Sequence, residues 1–353
     1  MRLFRAAAVV GTVLVLGAAG LAVRGHPDLH SDAPAQPPIA GVDTQLARVS
    51  LPEPRVLELV IGPVLLAPRQ QGILIPVQLV RVPVDGWLHG FSWSVVDGQG
   101  RELPAELLHH VNLIDPDRRE LFGPAARRVV AAGRETSAFR TPSLLGYPLA
   151  RGTRLLVAAM FANPFPDSVP HAELRLRLHF SPRPRRGPEP LAIFPFHMDV
   201  MGPVGIKSFP VPPGRTVKSW EGSPAADVRV LALGGHMHDH ARLLLLEDVA
   251  TGRTLWRAVP ERRAARVVGV PRAQPWRRGG LRLVRDHVYR VTVEYDNPTD
   301  TAIAHGGMGL VAGVVTGRAP WPPVDPADPD YAADLAGLIA APRLTDAGHG
   351  HAH

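Results

Sequence analysis

Turn-forming residues punctuate the whole chain and constrain its fold more than any other feature. Its 353 residues include 38 prolines and 34 glycines. Short apolar runs of β type recur between them, which indicates short strands joined by turns and argues against a helical bundle. The runs cover residues 56–61, 73–79, 91–96, 107–113, 155–161 and 174–180, and then 228–233, 242–246, 281–284, 287–295 and 308–315. We therefore expect an all-β protein built from antiparallel, jelly-roll-like β-sandwiches.

A proline-rich segment separates the two series of runs and cannot pair as a central strand. The expected division is a signal or anchor at 1–25, a flexible tether at 26–54, a first sandwich at 55–182, a linker at 183–190, a second sandwich at 191–318 and a tail at 319–353. The tail has helical composition over 331–341 and ends in His349, His351 and His353. Such a flexible end binds metal only loosely, because ordering it costs entropy.

The N-terminus predicts export. Residues 1–5 form a short basic segment, and an uncharged apolar run follows at 6–23. This pattern is typical of a secretory signal peptide or of an uncleaved anchor, since the run is just long enough to span a bilayer. We expect a periplasmic or extracellular protein that touches the membrane only through this segment.

Composition excludes several classes of function. The chain has no cysteine, which removes disulfides, thiolate metal sites and cysteine nucleophiles. Its formal charge of +7 comes from scattered arginines, without a basic stripe and interleaved aromatic residues, so we expect no nucleic-acid partner. Any metal must be held by histidine, methionine or carboxylate.

Three histidines alternate after the apolar run 228–233. If that strand continues, its period of two places His236, His238 and His240 on one face, where neighbouring imidazoles can reach one ion. Imidazole suits copper, zinc, iron or nickel. A polar turn whose histidines face water is the alternative.

Three further features could hold metal. His109 and His110 are adjacent on a predicted strand, so both can bind one ion only if a bulge or a strand end re-aims one of them. Met308 enters the last apolar run, and a thioether favours copper, although core packing is its commoner role. His197 follows the proline-rich segment, where it could serve a site or pack between the sandwiches.

This order of an early His-His, a later His-x-His and a still later methionine resembles the copper type II, ascorbate-dependent monooxygenases. The resemblance spans about residues 56–317 and implies two jelly-roll sandwiches that each hold one copper across an open cleft. It assigns His109 and His110 to an electron-transfer copper, and it assigns His236, His238 and Met308 to an oxygen-activating copper. The family's third histidine at the first copper has no counterpart over 155–164, where Met160 is the residue that could replace it.

The leading hypothesis is thus an exported copper protein that hydroxylates a small-molecule or peptide substrate with an external reductant. A non-catalytic metal-binding or interaction sandwich is the second hypothesis. The third is a zinc hydrolase with one ion on His236, His238 and His240, for which the sequence nominates no clear general base.

Overall fold

Strands with alternating buried and exposed side chains make up almost all of the regular structure. The computed structural model describes residues 39–340 except 71, 135, 184–187, 206, 264–265 and 318–320. The predicted signal segment, most of the predicted tether and the His-rich end lie outside the described residues. Within the described ranges, no helix is long and apolar enough to cross a membrane.

Two sheets form the first β-sandwich. Its strands are β1 (Ala47–Glu53), β2 (Val56–Leu66), β3 (Ile73–Leu74), β4 (Gln78–Arg81), β5 (Gly86–Val96), β6 (Glu102–Leu103), β7 (Leu108–Arg119), β8 (Ala126–Gly133), β9 (Phe139–Arg140), β10 (Leu145–Leu149), β11 (Arg154–Phe161), β12 (Val169–Pro182) and β13 (Leu191–Ala192). One sheet runs β1-β2-β12-β5-β10-β13, with β6 and β9 also on β5, and the other runs β3-β11-β7-β8, with β4 on β11. Every second residue of β12 points inward, so that Leu174, Leu176 and Leu178 are fully buried against Val111 and Leu113 of β7.

Two smaller sheets of four strands each form the second β-sandwich, and short two-stranded sheets accompany them. The strands are β14 (Phe194–Asp199), β15 (Phe209–Val211), β16 (Gly214–Gly222), β17 (Val228–Met237), β18 (Ala241–Asp248), β19 (Arg253–Ala258), β20 (Glu261–Arg263), β21 (Arg266–Gly269), β22 (Leu281–Leu283), β23 (Tyr289–Asn297), β24 (Ile303–Gly307) and β25 (Gly309–Thr316). The sheets β14-β25-β17-β22 and β16-β23-β18-β19 enclose a second core that includes Val230, Val293 and Val311. The predicted all-β fold of antiparallel sandwiches is confirmed.

One helix, α1 (Pro329–Ala340), packs on the outer face of the first sandwich. The Asp328 carboxylate accepts hydrogen bonds from the first backbone N–H groups of the helix, and Pro329 suits its first position. Tyr331 is buried and donates a hydrogen bond from its hydroxyl to the Pro116 carbonyl at 2.8 Å. The short C-terminal helix predicted from composition is therefore present, and it covers one end of the sheet β3-β11-β7-β8.

The predicted segment boundaries differ from the structure at two places. The expected tether already contains β1, because its alternating Ala47 and Val49 pack against the first core and its backbone pairs with β2. After the proline-rich segment, β13 pairs in parallel with β10 of the first sandwich before the chain enters the second. The division into two independent domains stays a prediction.

Candidate metal centre

His236 and His238 lie together at the end of β17. Their ring centroids are 5.2 Å apart and the ring planes are nearly perpendicular, at 86°. Met237 between them is 2% exposed and belongs to the second core, so the two histidines share the opposite, outward face. The period of two predicted from the sequence holds for this pair.

His240 leaves that face because the strand ends at Met237. The Ala241 N–H donates to the His238 carbonyl at 3.3 Å, which closes a turn into β18. His240 has a φ of 67°, in the left-handed region that turns require and that histidine tolerates better than most residues. The condition that the strand continues through His240 is not met, and His240 lies in a turn, the alternative given by the sequence. The cause is the tight reversal into β18.

The Tyr295 hydroxyl joins the backbones of His238 and Met308. It accepts hydrogen bonds from the His238 N–H at 3.0 Å and the Met308 N–H at 2.9 Å, and it donates one to the Met308 carbonyl. Tyr295 is fully buried, and burial raises the pKa of its phenol to about 12. The hydroxyl therefore stays protonated and uses all of its hydrogen-bonding capacity on these two residues.

Met308 is half-buried between β24 and β25 and lies outside the second core cluster. In the ladder of β17 with β25, His236 pairs with Leu310 and Met237 pairs with Gly309. One further step of this register would place His238 opposite Met308, and the shared Tyr295 hydroxyl keeps the backbones of these two residues close together. The glycine before β25 packs tightly, since a Cβ on Gly307 would lie 2.2 Å from the Phe209 ring. Close packing explains the glycines around Met308.

A bulge brings His109 and His110 together in β7. Met160 of β11 pairs with His110, but the next residue, Phe161, pairs with Leu108, so His109 is the extra residue. A bulge turns two successive side chains toward similar directions, and the two ring centroids lie 5.2 Å apart with a 51° angle between planes. The structure thus contains the irregularity that the sequence required of this pair.

Met160 is the direct cross-strand partner of His110. It is half-buried and lies outside the first core cluster. Ala158 and Leu156, on the same sheet face as Met160, belong to the apolar cluster that packs under α1. Met160 and His110 occupy the end of that face beyond the helix contacts, so each histidine pair has a methionine across the ladder.

The described residues contain no group of three histidine or carboxylate side chains placed to hold one ion. The set of His236, His238 and His240 proposed for zinc is therefore not assembled. At each pair, two imidazoles are the observed neighbours and the nearby methionine could add a thioether donor. This soft set fits copper, and Cu(I) in particular, better than it fits zinc.

His197 of β14 lies against a buried carboxylate and not at either pair. Its Nδ1 is 2.9 Å from Oε1 of Glu120, which is fully buried and also accepts a hydrogen bond from the Arg128 N–H at 2.6 Å. Burial alone would raise the pKa of Glu120, but His197 and Arg128 outweigh it and lower that pKa. His197 therefore links the two sandwiches through an acid that the sequence did not nominate.

Asp199 sits in the same row of the sheet as His236. The ladders of β14 and β17 with β25 align both residues on Leu310, and Asp199 is 2% exposed. Burial raises the pKa of Asp199, although the Met201 backbone, Lys207, His197 and His236 each act to lower it. Asp239, which directly follows His238 in the chain, points elsewhere and accepts a hydrogen bond from the Val267 N–H at 2.8 Å.

Tyr295 could have been suspected from sequence alone. It occupies an inward position of the alternating run 287–295, and a buried phenol needs a hydrogen-bond partner. Its partners, however, come from two loops that only the fold brings together.

No protein-family model matches the chain, and no curated protein sequence matches it. Solved structures with detectable likeness include the major capsid protein P2 of bacteriophage PM2, with 9% identity and a TM-score of 0.33 over 71% of this chain and 98% of that one. A chain of the Sputnik virophage has 8% identity and a TM-score of 0.25 over 97% of this chain and 98% of that one. Likeness at this level assigns no function to the chain.

Proposed function

We propose that this chain is an exported copper-binding protein with one site of two histidines and a methionine in each sandwich. The observation that carries the proposal is the junction at Tyr295, whose hydroxyl fastens His238 next to Met308 while His236 contacts His238. A buried hydroxyl that uses all of its hydrogen bonds on two loop residues holds their backbones in one arrangement. We take this fixed arrangement as a sign that the two residues act together, because a surface turn without a function does not need it.

The first pair supports the same assignment independently. The bulge at His109 and the pairing of His110 with Met160 provide a second set of the same donor types. Methionine stabilises the reduced ion, so both sites favour Cu(I).

Oxygen-dependent hydroxylation of an organic substrate is the reaction class we propose for the pair of sites. Copper bound there would exchange single electrons and activate dioxygen, with an external reductant supplying the electrons. A non-catalytic copper-binding role is the second candidate, and Met160 favours it, because the monooxygenases that the sequence resembles have a histidine in this region.

Anaerobic titration with Cu(I) against a chromophoric chelator tests the proposal. The full chain is used with His349, His351 and His353 replaced by alanine, so that the tail does not contribute. We expect two tightly bound ions per chain, one after His238→Ala, one after His110→Ala and none after both. His171→Ala is the matched control, because this histidine is 40% exposed on β12 and belongs to neither pair; it should leave two.

X-ray absorption at the copper edge tests the methionines. The sulfur contribution should fall by about half in Met308→Leu or Met160→Leu and vanish in the double variant. Equal copper stoichiometry in the parent chain and the His238→Ala variant would refute the second site. Activity that consumes oxygen and reductant in the parent, and is lost in His238→Ala, separates the oxygenase from the binding protein.

A further inference from the structure

Two contacts join the immediate surroundings of the histidine pairs across the two sandwiches. The Arg134 guanidinium lies 3.6 Å from Asp239 Oδ2. The Arg272 guanidinium donates to the Ser137 carbonyl at 3.1 Å and to its hydroxyl at 2.9 Å. Each contact has one end in the chain that follows β8 and the other end in the second sandwich.

On the first-sandwich side, these contacts begin directly beside His110. His110 pairs with Gly133, the last residue of β8. Arg134 follows it, and reciprocal hydrogen bonds between Gly133 and Thr136 close the turn that leads to Ser137. One turn therefore connects the strand partner of His110 with both contacts.

On the second-sandwich side, the contacts end beside His236 and His238. Asp239 directly follows His238, and its other oxygen is fixed by the Val267 N–H at 2.8 Å. Arg272 precedes Ala273, which exchanges two backbone hydrogen bonds of 2.9 Å with Leu233 of β17, three residues before His236. Both ends are tied to β17 and to the loop at its end.

We propose that the Arg134–Asp239 and Arg272–Ser137 contacts couple the two candidate copper sites, so that an ion bound at one site raises the affinity of the other. This inference rests on the proposed function. An ion held by His236, His238 and Met308 restrains the loop that carries Asp239, and the contacts pass this order to the turn beside His110. Binding of the second ion then costs less conformational entropy, because the turn beside its site is already ordered. This is positive cooperativity without a change of shape.

The side chains of the ion pair suit such a role because they are partly exposed, at 47% for Arg134 and 34% for Asp239. A pair of this kind is weak on its own and opens readily. Its closure can therefore depend on whether the neighbouring loops are ordered.

A double-mutant cycle measures the coupling. Cu(I) affinity of the first site is compared in the chain with an intact second site and in His236→Ala/His238→Ala, both without tail histidines. We expect the first site to bind about fivefold more weakly when the second is disabled, the lower end of common coupling strengths. In Arg134→Ala/Arg272→Ala the ratio should approach one. Arg282→Ala is the matched control, since it breaks a 3.5 Å ion pair with Asp227 near the far end of β17 and should keep the ratio.

Hydrogen exchange gives a second readout. In His109→Ala/His110→Ala without tail histidines, one equivalent of Cu(I) should slow exchange in the peptide that contains Gly133 and Ser137, and adding Arg134→Ala/Arg272→Ala should remove this protection. Two ions that bind independently, with no protection of that peptide, would overturn the coupling and leave the proposed function intact. A parent chain that binds no copper would refute both.

Discussion

Replacement of Tyr295 by phenylalanine is the sharpest perturbation of the second site, because it removes one buried oxygen and nothing else. The hydroxyl accepts from the N–H groups of His238 and Met308 and donates to the Met308 carbonyl. At about 1 kcal/mol of net stabilisation per hydrogen bond, the three bonds contribute about 3 kcal/mol. Tyr295→Phe should lower the free energy of unfolding by about this amount.

Tyr289 supplies a matched control in the same strand. It is 1% exposed, and its hydroxyl accepts a single hydrogen bond, from the Val284 N–H at 2.8 Å, far along β23 from the histidines. Tyr289→Phe should therefore cost only about 1 kcal/mol. Urea unfolding of the two variants and the parent chain measures the difference.

Copper affinity separates positioning from stability. Partners that orient metal ligands typically change metal affinity by about 10- to 100-fold, so Tyr295→Phe should weaken the second site by that factor and leave the first site within a few fold. Tyr289→Phe should change neither site. If the two variants lose similar stability and bind copper like the parent chain, the reasoning about Tyr295 is wrong.

Two further predictions concern groups outside the histidine pairs. The largely buried Arg128 guanidinium lies 2.7 Å from the Asp334 carboxylate. Asp334→Ala removes this partner and should lower the free energy of unfolding, measured with urea, by about 3–5 kcal/mol. The control Asp330→Ala, on the exposed first turn of the same helix, should cost less than about 1 kcal/mol. Burial lowers the pKa of Lys207 from 10.5 to about 8, so between these values the unfolded chain binds more protons and stability should rise with pH. In urea unfolding between pH 7 and pH 10, the free energy of unfolding of the parent chain should rise relative to that of Lys207→Met. The control Lys218→Met, at an exposed lysine, should follow the pH dependence of the parent. If Lys207→Met also follows the parent, the assignment is wrong.

Local patterns in the sequence were sufficient to predict many of the strands. The run 287–295 alternates in burial, and the strand is Tyr289–Asn297; the helical composition at 331–341 corresponds to Pro329–Ala340. Both patterns express a period fixed by backbone geometry. The boundaries shifted where partners decide them, as at β1, which is a strand because β2 lies beside it.

The candidate sites could be predicted only in part, for a related reason. His236 and His238 share a face because of the strand period, which the sequence contains. The bulge at His109 depends on how β7 registers with β11, and the turn at His240 depends on where β18 must begin. Tyr295 and Glu120 act through contacts with residues far away in the chain, so no local pattern could assign their roles.

The two histidine pairs reach the same arrangement by opposite means. Adjacent histidines need a bulge to point together, and His109 supplies it. Alternate histidines need only the strand period, which here still holds for His236 and His238 although β17 ends at Met237. In both cases a methionine lies across the ladder, Met160 directly opposite His110 and Met308 one register step beyond the paired residues of β17 and β25. Different local geometries therefore bring two imidazoles together near a methionine in both sandwiches, and chance packing explains one such arrangement more easily than two. If both sets bind an ion as proposed, the shared softness of their donors predicts the same metal in the same oxidation state at both.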